Sequence, residues 1–216
     1  MHKTIIKVIR ANRGFLIFLL LMAVFRSSFA DWNVVPTGSM QPTIVEGDRI
    51  LINKLAYDLQ LPFLSTKLVT LGNPERGDIV IFESATAKNR LVKRVIGLPG
   101  DRIALVNNHL IINGKPVSYQ LLDHTPLVAK QLENLLEQPH RIQTSTTRVP
   151  RQNFAEVVVP PMSYLVLGDN RDNSADSRFI GFVPRNEIIG RSQRVVMSLD
   201  REHYYLPRSD RFWHRI

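Results

Sequence analysis

No cysteine occurs anywhere in the 216 residues. That absence excludes a disulfide framework, a thiolate nucleophile, a cysteine-held zinc or iron–sulfur site and lipoprotein-type lipidation, and it leaves covalent chemistry to oxygen and nitrogen. Histidine is sparse too: the six are scattered singly with no H-E-x-x-H pair, so metal-assisted hydrolysis is disfavoured and no metal is expected. There is no G-x-S-x-G elbow, no S-x-x-K motif, no internal repeat and no low-complexity tract. Charge is modest at 22% against 44% hydrophobic residues, which argues against disorder and coiled coil and for a folded core, with room for a small lobe. Acids are fewer than bases, 19 against 28, giving +9. Taken whole, that excess suggests nucleic acid or an anionic membrane. Its distribution decides: Lys3, Lys7, Arg10, Arg13 and Arg26 put +5 on the acid-free first 30 residues and leave only +4 on the other 186. The excess sits on one short arm, so no nucleic-acid partner is expected.

That arm leads into an apolar block, Phe15 to Phe25, which as a helix reaches only about 16 Å of a roughly 30 Å hydrocarbon core. Extended from Gly14 to Ala30 it reaches about 26 Å, a marginal span with Arg26 snorkelling toward headgroups. The competing reading is a cleavable secretory signal with Ser28-Phe29-Ala30 as its small-x-small site. Both place the chain after Asp31 outside the cytoplasm, with the basic flank inside by the positive-inside rule.

Beyond residue 31 the pattern becomes short and alternating. Arg102 to Val106, His109 to Ile112 and Lys115 to Ser118 predict a meander joined by Asn107-Asn108 and by Asn113-Gly114, the latter a type I′ turn. Further strands are predicted at Asp48 to Leu55, Asp78 to Phe82, Leu91 to Ile96, Phe154 to Val159, Ser163 to Leu167 and Ser192 to Met197. Many short strands with Gly/Pro/Asn/Asp turns indicate a mostly β fold, an antiparallel sandwich or barrel-like sheet. Pro126 to Gln138, with Leu127, Leu132, Leu135 and Leu136, reads instead as an amphipathic helix in an inserted lobe at about 120–150.

Three segments carry chemistry. In Val35-Pro36-Thr37-Gly38-Ser39-Met40-Gln41-Pro42-Thr43 a serine lies between two prolines that favour extended chain, beside a glycine that allows close approach. Its own N–H and the Thr37 hydroxyl are candidate oxyanion donors. Read alone, such a serine is usually a turn residue. In Arg90 to Asp101, strand alternation places Lys93 on one face with Leu91 and Val95. Burial there disfavours the ammonium and moves the lysine from about 10.4 toward the 7 to 8 useful to a general base. The bland alternative is that one of Lys93 and Arg94 simply snorkels from a strand edge. Gly168 to Arg178 is almost wholly polar, either a solvated loop of Asx turns or a hydrogen-bonded network in which Asp176 pairs with Arg178 and a serine aims an amine.

In this order the boxes P-T-G-S-M-x-P-T, E-R-G-D-I-V-I-F, K-R-V-I-G-x-P-G-D and G-D-N-R-D-N-S-x-D-S-R resemble those of bacterial type I signal peptidases, membrane-bound serine endopeptidases with a Ser-Lys dyad. The resemblance runs from about residue 35 to 185 and includes the hydrophobic segment before it. It implies Ser39 as nucleophile, Lys93 as general base, Thr37 and the Ser39 N–H as oxyanion hole, Ser174 orienting Lys93, and Asp176 with Arg178 bracing the loop. Val35, Ile44 and Val92 would line shallow pockets for small side chains before the scissile bond. The implied substrates are the signal peptides of exported preproteins, cut after small-x-small sites without a cofactor. Membrane lipid and the secretion translocon are the implied neighbours. The implied architecture is a β catalytic domain, residues 31–216, on the extracytoplasmic side of the bacterial inner membrane, held by one uncleaved N-terminal anchor within residues 1–30 whose N-terminus is cytoplasmic. Leu59, Leu61, Pro62, Phe63 and Leu64, and the aromatic-basic tail Tyr204 to Arg215, are candidate membrane contacts, with ordinary core or a surface strand end as the alternative. This chain departs from some members in having one hydrophobic segment rather than two and a short inserted lobe. The rival classes are another Ser-Lys peptidase, of the repressor or pilus-processing type, and a non-catalytic membrane-tethered binding module.

Overall fold

The computed structural model describes residues 10–64, 66–136, 138–147, 149 and 152–216. Lys3 and Lys7 of the basic arm lie outside them. Helix α1 (Arg13–Ser28) runs straight into strand β1 (Ala30–Val34), so the apolar helix ends two residues earlier than the span to Ala30 predicted from hydropathy. Its 16 residues correspond to about 24 Å, and among the described residues no helix is long and apolar enough to cross a membrane. Phe15 to Met22 and Phe25 are nonetheless open on its surface.

The remaining chain is antiparallel β. The strands are β2 (Asp48–Asn53), β3 (Asp58–Gln60), β4 (Lys67–Thr70), β5 (Ile79–Ser84), β6 (Asn89–Gly97), β7 (Arg102–Val106), β8 (His109–Ile112) and β9 (Lys115–Pro116). They continue with β10 (Ser118–His124), β11 (Val128–Leu135), β12 (Gln138–Ser145), β13 (Phe154–Val158), β14 (Ser163–Leu167), β15 (Val183–Pro184), β16 (Ile188–Ser192), β17 (Arg194–Asp200), β18 (Leu206–Pro207) and β19 (His214–Arg215). The main sheet has the order β15-β14-β6-β5-β16-β2-β17-β18, with β1 beside β2 and β19 beside β17. The unbroken apolar run Ile79-Val80-Ile81-Phe82 of β5 is explained by its place. Ile79 and Ile81 join a cluster with Val35, Met40, Ile44, Ile50, Ile52 and Val195, while Val80 and Phe82 join another with Tyr57, Val95, Tyr164 and Ile188. Both faces are buried, so no polar alternation appears.

The meander is found, with Asn107 and Asn108 at φ of 49° and 61° and Asn113 and Gly114 at 51° and 75°, but its third strand stops at Pro116 and Ser118 opens β10 of another sheet. Two further expectations need correction. The predicted strand Ser192 to Met197 is interrupted at Gln193: Ser192 ends β16 on one side of β2, and Arg194 to Met197 open β17 on its other side. The inserted lobe is not helical but a three-stranded sheet, β10-β11-β12. In β11 the most buried residues are Ala129, Glu133 and Leu135, a period of two that the polar Glu133 conceals, whereas the leucines at 127, 132, 135 and 136 happen to match helical spacing. Leu136 then turns the chain at φ 48°. A further strip of pairing joins lobe to core: Gln143 of β12 bridges Asn170 in parallel.

Candidate active site

Ser39 lies in the connection from β1 to β2, not in extended chain as expected but in a turn, with the Gln41 N–H donating to the Gly38 carbonyl at 3.1 Å and the Ile44 N–H to Met40 at 2.9 Å. Proline restrains the residues just before it, Val35 and Gln41, and Gly38 leaves the intervening chain free to turn. Two bonds from the loop after β14 hold this turn: the Asn170 N–H donates to the Ser39 carbonyl at 3.1 Å and its Nδ2 to the Gly38 carbonyl at 3.0 Å. Gly168 allows that approach, because a Cβ there would stand 2.5 Å from the Ser39 carbonyl oxygen and 2.3 Å from Ser174 Oγ.

Lys93 sits in the middle of β6 opposite Val80, 54 positions from the serine, yet its Nζ is 2.9 Å from Ser39 Oγ and donates to the Val92 carbonyl at 2.8 Å. The side chain is buried, at 2% exposure for the residue. Burial drives its pKa down from 10.5 to about 8, against the opposing pull of the Asp176 and Asp169 carboxylates. Desolvation thus brings the titration of the amine down toward neutral pH, and the two acids limit how far the depression goes.

Of the other expected residues, Asp176 and Arg178 are paired through two bonds of 2.8 Å, and Asp176 Oδ2 also accepts the Gly168 N–H at 3.0 Å. Asp176 caps the short helix α2 (Ser177–Ile180). Thr37 is exposed two residues before the serine. Val35 and Ile44 are buried in the cluster under the turn, and Val92 packs against that cluster from β6. Ser174 does not meet Lys93: its Oγ is buried without a hydrogen-bond partner beside the Gly168–Ser39 main chain, while the bonds of Nζ go to Ser39 and Val92.

Sequence reasoning missed the charges behind Ser39 and Lys93. Arg94 grips Asp169 through Nε–Oδ1 at 2.8 Å and a second nitrogen on Oδ2 at 2.7 Å, and Thr43 donates to Oδ2 at 2.5 Å. Burial works against the Asp169 carboxylate, but Arg94, with His140 and Thr43 behind it, keeps it below the ordinary range. Arg94 follows Lys93 directly and Thr43 ends the serine box, so their adjacency was the available signal. Arg171 in the fourth box is wholly buried on Glu133 of the lobe at 2.6 Å, a partner no local pattern indicates.

The sequence profile of the family described as signal peptidase, peptidase S26, matches residues 8–197. The chain belongs to the signal peptidase family. It is 35% identical over 203 residues to signal peptidase I of Pseudomonas aeruginosa, covering 87% of this chain and 72% of that one. It is 40% identical over 158 residues to signal peptidase I of Bacillus caldolyticus, covering 73% and 74%. A crystal structure of a signal peptidase I from Enterococcus faecalis aligns with 30% identity and a TM-score of 0.37, over 56% of this chain and 97% of that one. The protein is accordingly a serine peptidase of the signal peptidase type.

Proposed function

We propose that Ser39 and Lys93 form the catalytic dyad with which this signal peptidase removes N-terminal signal peptides from exported preproteins after small-x-small sites. The observation that carries the reading is the 2.9 Å approach of a buried lysine Nζ to a serine Oγ. With the amine neutral, Lys93 takes the Ser39 proton as Oγ attacks the scissile carbonyl carbon, then returns it to the departing amine; deacylation repeats the sequence with water as nucleophile. The Ser39 N–H and the Thr37 hydroxyl would receive the oxyanion. Val35, Ile44 and Val92 supply an aliphatic floor to the turn, and such walls favour small side chains by about 1 to 3 kcal/mol per methylene. No metal or cofactor enters these steps.

Retention of α1 as a single anchor, with its N-terminus cytoplasmic and the catalytic domain outside, is supported by its union with the β domain. Lys54 Nζ donates to the Arg26 and Ser27 carbonyls at 2.9 Å each, Ser27 Oγ accepts the Phe63 N–H at 2.7 Å, and Arg26 pairs with Asp31 at 2.8 Å. Removal at Ala30 would cut within a strand, where Ala30 and Asp31 pair with Asn53 and Ile52. Phe63 and Leu64 stand exposed beside that helix end, with Leu68, Val69 and Leu71 of the same hairpin region, and suit a lipid surface.

The decisive assay incubates the detergent-solubilised full chain with a precursor bearing Ala-x-Ala. Ser39→Ala and Lys93→Ala each abolish cleavage with the fold intact. Lys93→Arg fails as well, because a guanidinium stays protonated at any working pH; robust cleavage by Lys93→Arg would overturn the assignment of the base. A non-catalytic binding module would be indifferent to Ser39→Ala.

A further inference from the structure

The inserted lobe is attached to the catalytic loop by charge rather than by apolar surface alone. Glu133 of β11 and His140 of β12 stand directly opposite each other in the ladder. Glu133 is fully buried, accepting Arg171 at 2.6 Å on one oxygen and the Tyr119 hydroxyl at 2.6 Å on the other. His140 Nε2 is 3.2 Å from Glu133 Oε1 and 4.0 Å from Asp169 Oδ1. Main chain reinforces the junction: the Gln143 N–H donates to the Asp169 carbonyl at 2.9 Å and the Arg171 N–H to the Gln143 carbonyl at 3.0 Å.

From these contacts the two carboxylates that act on the Lys93 amine both trace back to the lobe. Asp169 faces His140 directly. Asp176 is gripped by Arg178, which also donates to the carbonyl of Arg171, the residue whose guanidinium is seated on Glu133. Between the two acids lies Asn170, which holds the carbonyls of Gly38 and Ser39. His140 Nε2 and Arg171 Nε make no hydrogen bond, but the paired charges of this buried network favour one arrangement, because a displaced charge would be left without solvent or partner.

We propose that Glu133 and His140 are positioning residues for the dyad: the lobe, through them, fixes the strip Gly168–Arg171 that holds Ser39 against Lys93 and keeps the amine dry. This rests on the reading of Lys93 as the base. The bonds of the Lys93 amine run to Ser39 and Val92 and to neither of these residues, and the lobe therefore acts on the proton transfer through the strip.

The test compares His140→Gln and Glu133→Gln with the parent full chain in detergent, following kcat and KM on an Ala-x-Ala precursor across pH, with Tm measured in parallel. His140 borders a cleft of about 780 Å³, so a replacement there has room, and Glu133→Gln preserves shape and an acceptor for Tyr119. Coupling through such a network changes rates by about three- to thirtyfold. The expected result is a fall in kcat of that size, KM unchanged, and an acid limb of the pH profile displaced upward as Lys93 becomes better hydrated. Variants with a lower Tm or less active protein, but with the parent's acid limb and kcat per active enzyme, would make the network merely structural and overturn the proposal. Failure of the underlying reading looks different: Lys93→Ala would retain cleavage, or the parent itself would show no limb near pH 8.

Discussion

A lysine kept dry is a stability liability, and its size is calculable. The Lys93 amine has a pKa of about 8 in the fold against 10.5 for the free side chain, and burial is the leading cause. Below pH 8 both folded and unfolded chains carry the proton, and the fold bears the whole difference, about 3 kcal/mol. Between about pH 8 and 10.5 the unfolded chain binds more protons than the folded one, so stability rises with pH through that window. Lys93→Met keeps the length and apolar character of the stem and removes the ammonium. It also strands the Val92 carbonyl, which accepts from Nζ at 2.8 Å, at a cost of about 1 kcal/mol; Ser39 Oγ is only partly buried and remains hydrated. The net expectation is a gain of about 2 kcal/mol at pH 6 to 7, falling to near zero by about pH 10. For a chain of this size that is a rise of roughly 4 to 8 °C in Tm at neutral pH. The assay is thermal unfolding of both proteins in one detergent at half-unit steps from pH 6 to 10, with precursor cleavage abolished in the variant throughout. A Lys93→Met protein no more stable than its parent at pH 6 to 8, or one whose advantage does not shrink as pH rises, would show that the amine is not the desolvated group described here.

Three other perturbations probe the surroundings. Gly168→Ala forces a Cβ to within 2.5 Å of the Ser39 carbonyl oxygen, and a displacement of the nucleophile by about 1 Å lowers kcat on the order of a hundredfold; single-turnover cleavage measures it. Asp169→Asn leaves the Arg94 guanidinium buried without its counter-charge, for a loss of about 3 to 5 kcal/mol in urea unfolding. Phe63→Ser with Leu64→Ser removes exposed apolar surface at the end of α1 and weakens binding of the full chain to phospholipid vesicles by tenfold or more if each side chain contributes about 1.5 kcal/mol, while cleavage of a short peptide in detergent is unchanged.

What was legible in the sequence was what is local. The Asn-Asn and Asn-Gly turns named their own strands, the apolar run to Phe82 marked a strand, and the order of four boxes carried the family resemblance. What was not legible depends on partners supplied by distant chain. Glu133 reads as the polar residue of an amphipathic helix until Arg171 is placed against it, and then the same residue marks the inner face of a strand. Arg94 reads as a solvated strand cation until Asp169, 75 positions on, claims it. Ser174 shows the converse: the family resemblance assigned it to Lys93, but the Gly168–Ser39 main chain lies against its hydroxyl instead.

These errors share a cause that bears on function. A charged side chain is buried only where a complementary charge meets it, so its local pattern is that of surface. Around Lys93 such pairs are concentrated: Arg94 with Asp169, Arg178 with Asp176 and Arg171 with Glu133 are all buried. The lysine is the exception among them, a buried cation whose hydrogen bonds run to a hydroxyl and a carbonyl rather than to a carboxylate. Every neighbouring guanidinium has its acid, and the two acids that reach Lys93 electrostatically are held by arginines, Asp169 by Arg94 and Asp176 by Arg178. That distribution keeps both carboxylates away from direct contact with the amine. A direct Asp or Glu partner on Nζ would return the pKa toward 10 and leave the ammonium with no capacity to take the serine proton. On the proposed role of Lys93, the surrounding salt bridges serve the chemistry by keeping their own acids occupied, and among the described buried cations the lysine is the one whose hydrogen bonds reach no carboxylate.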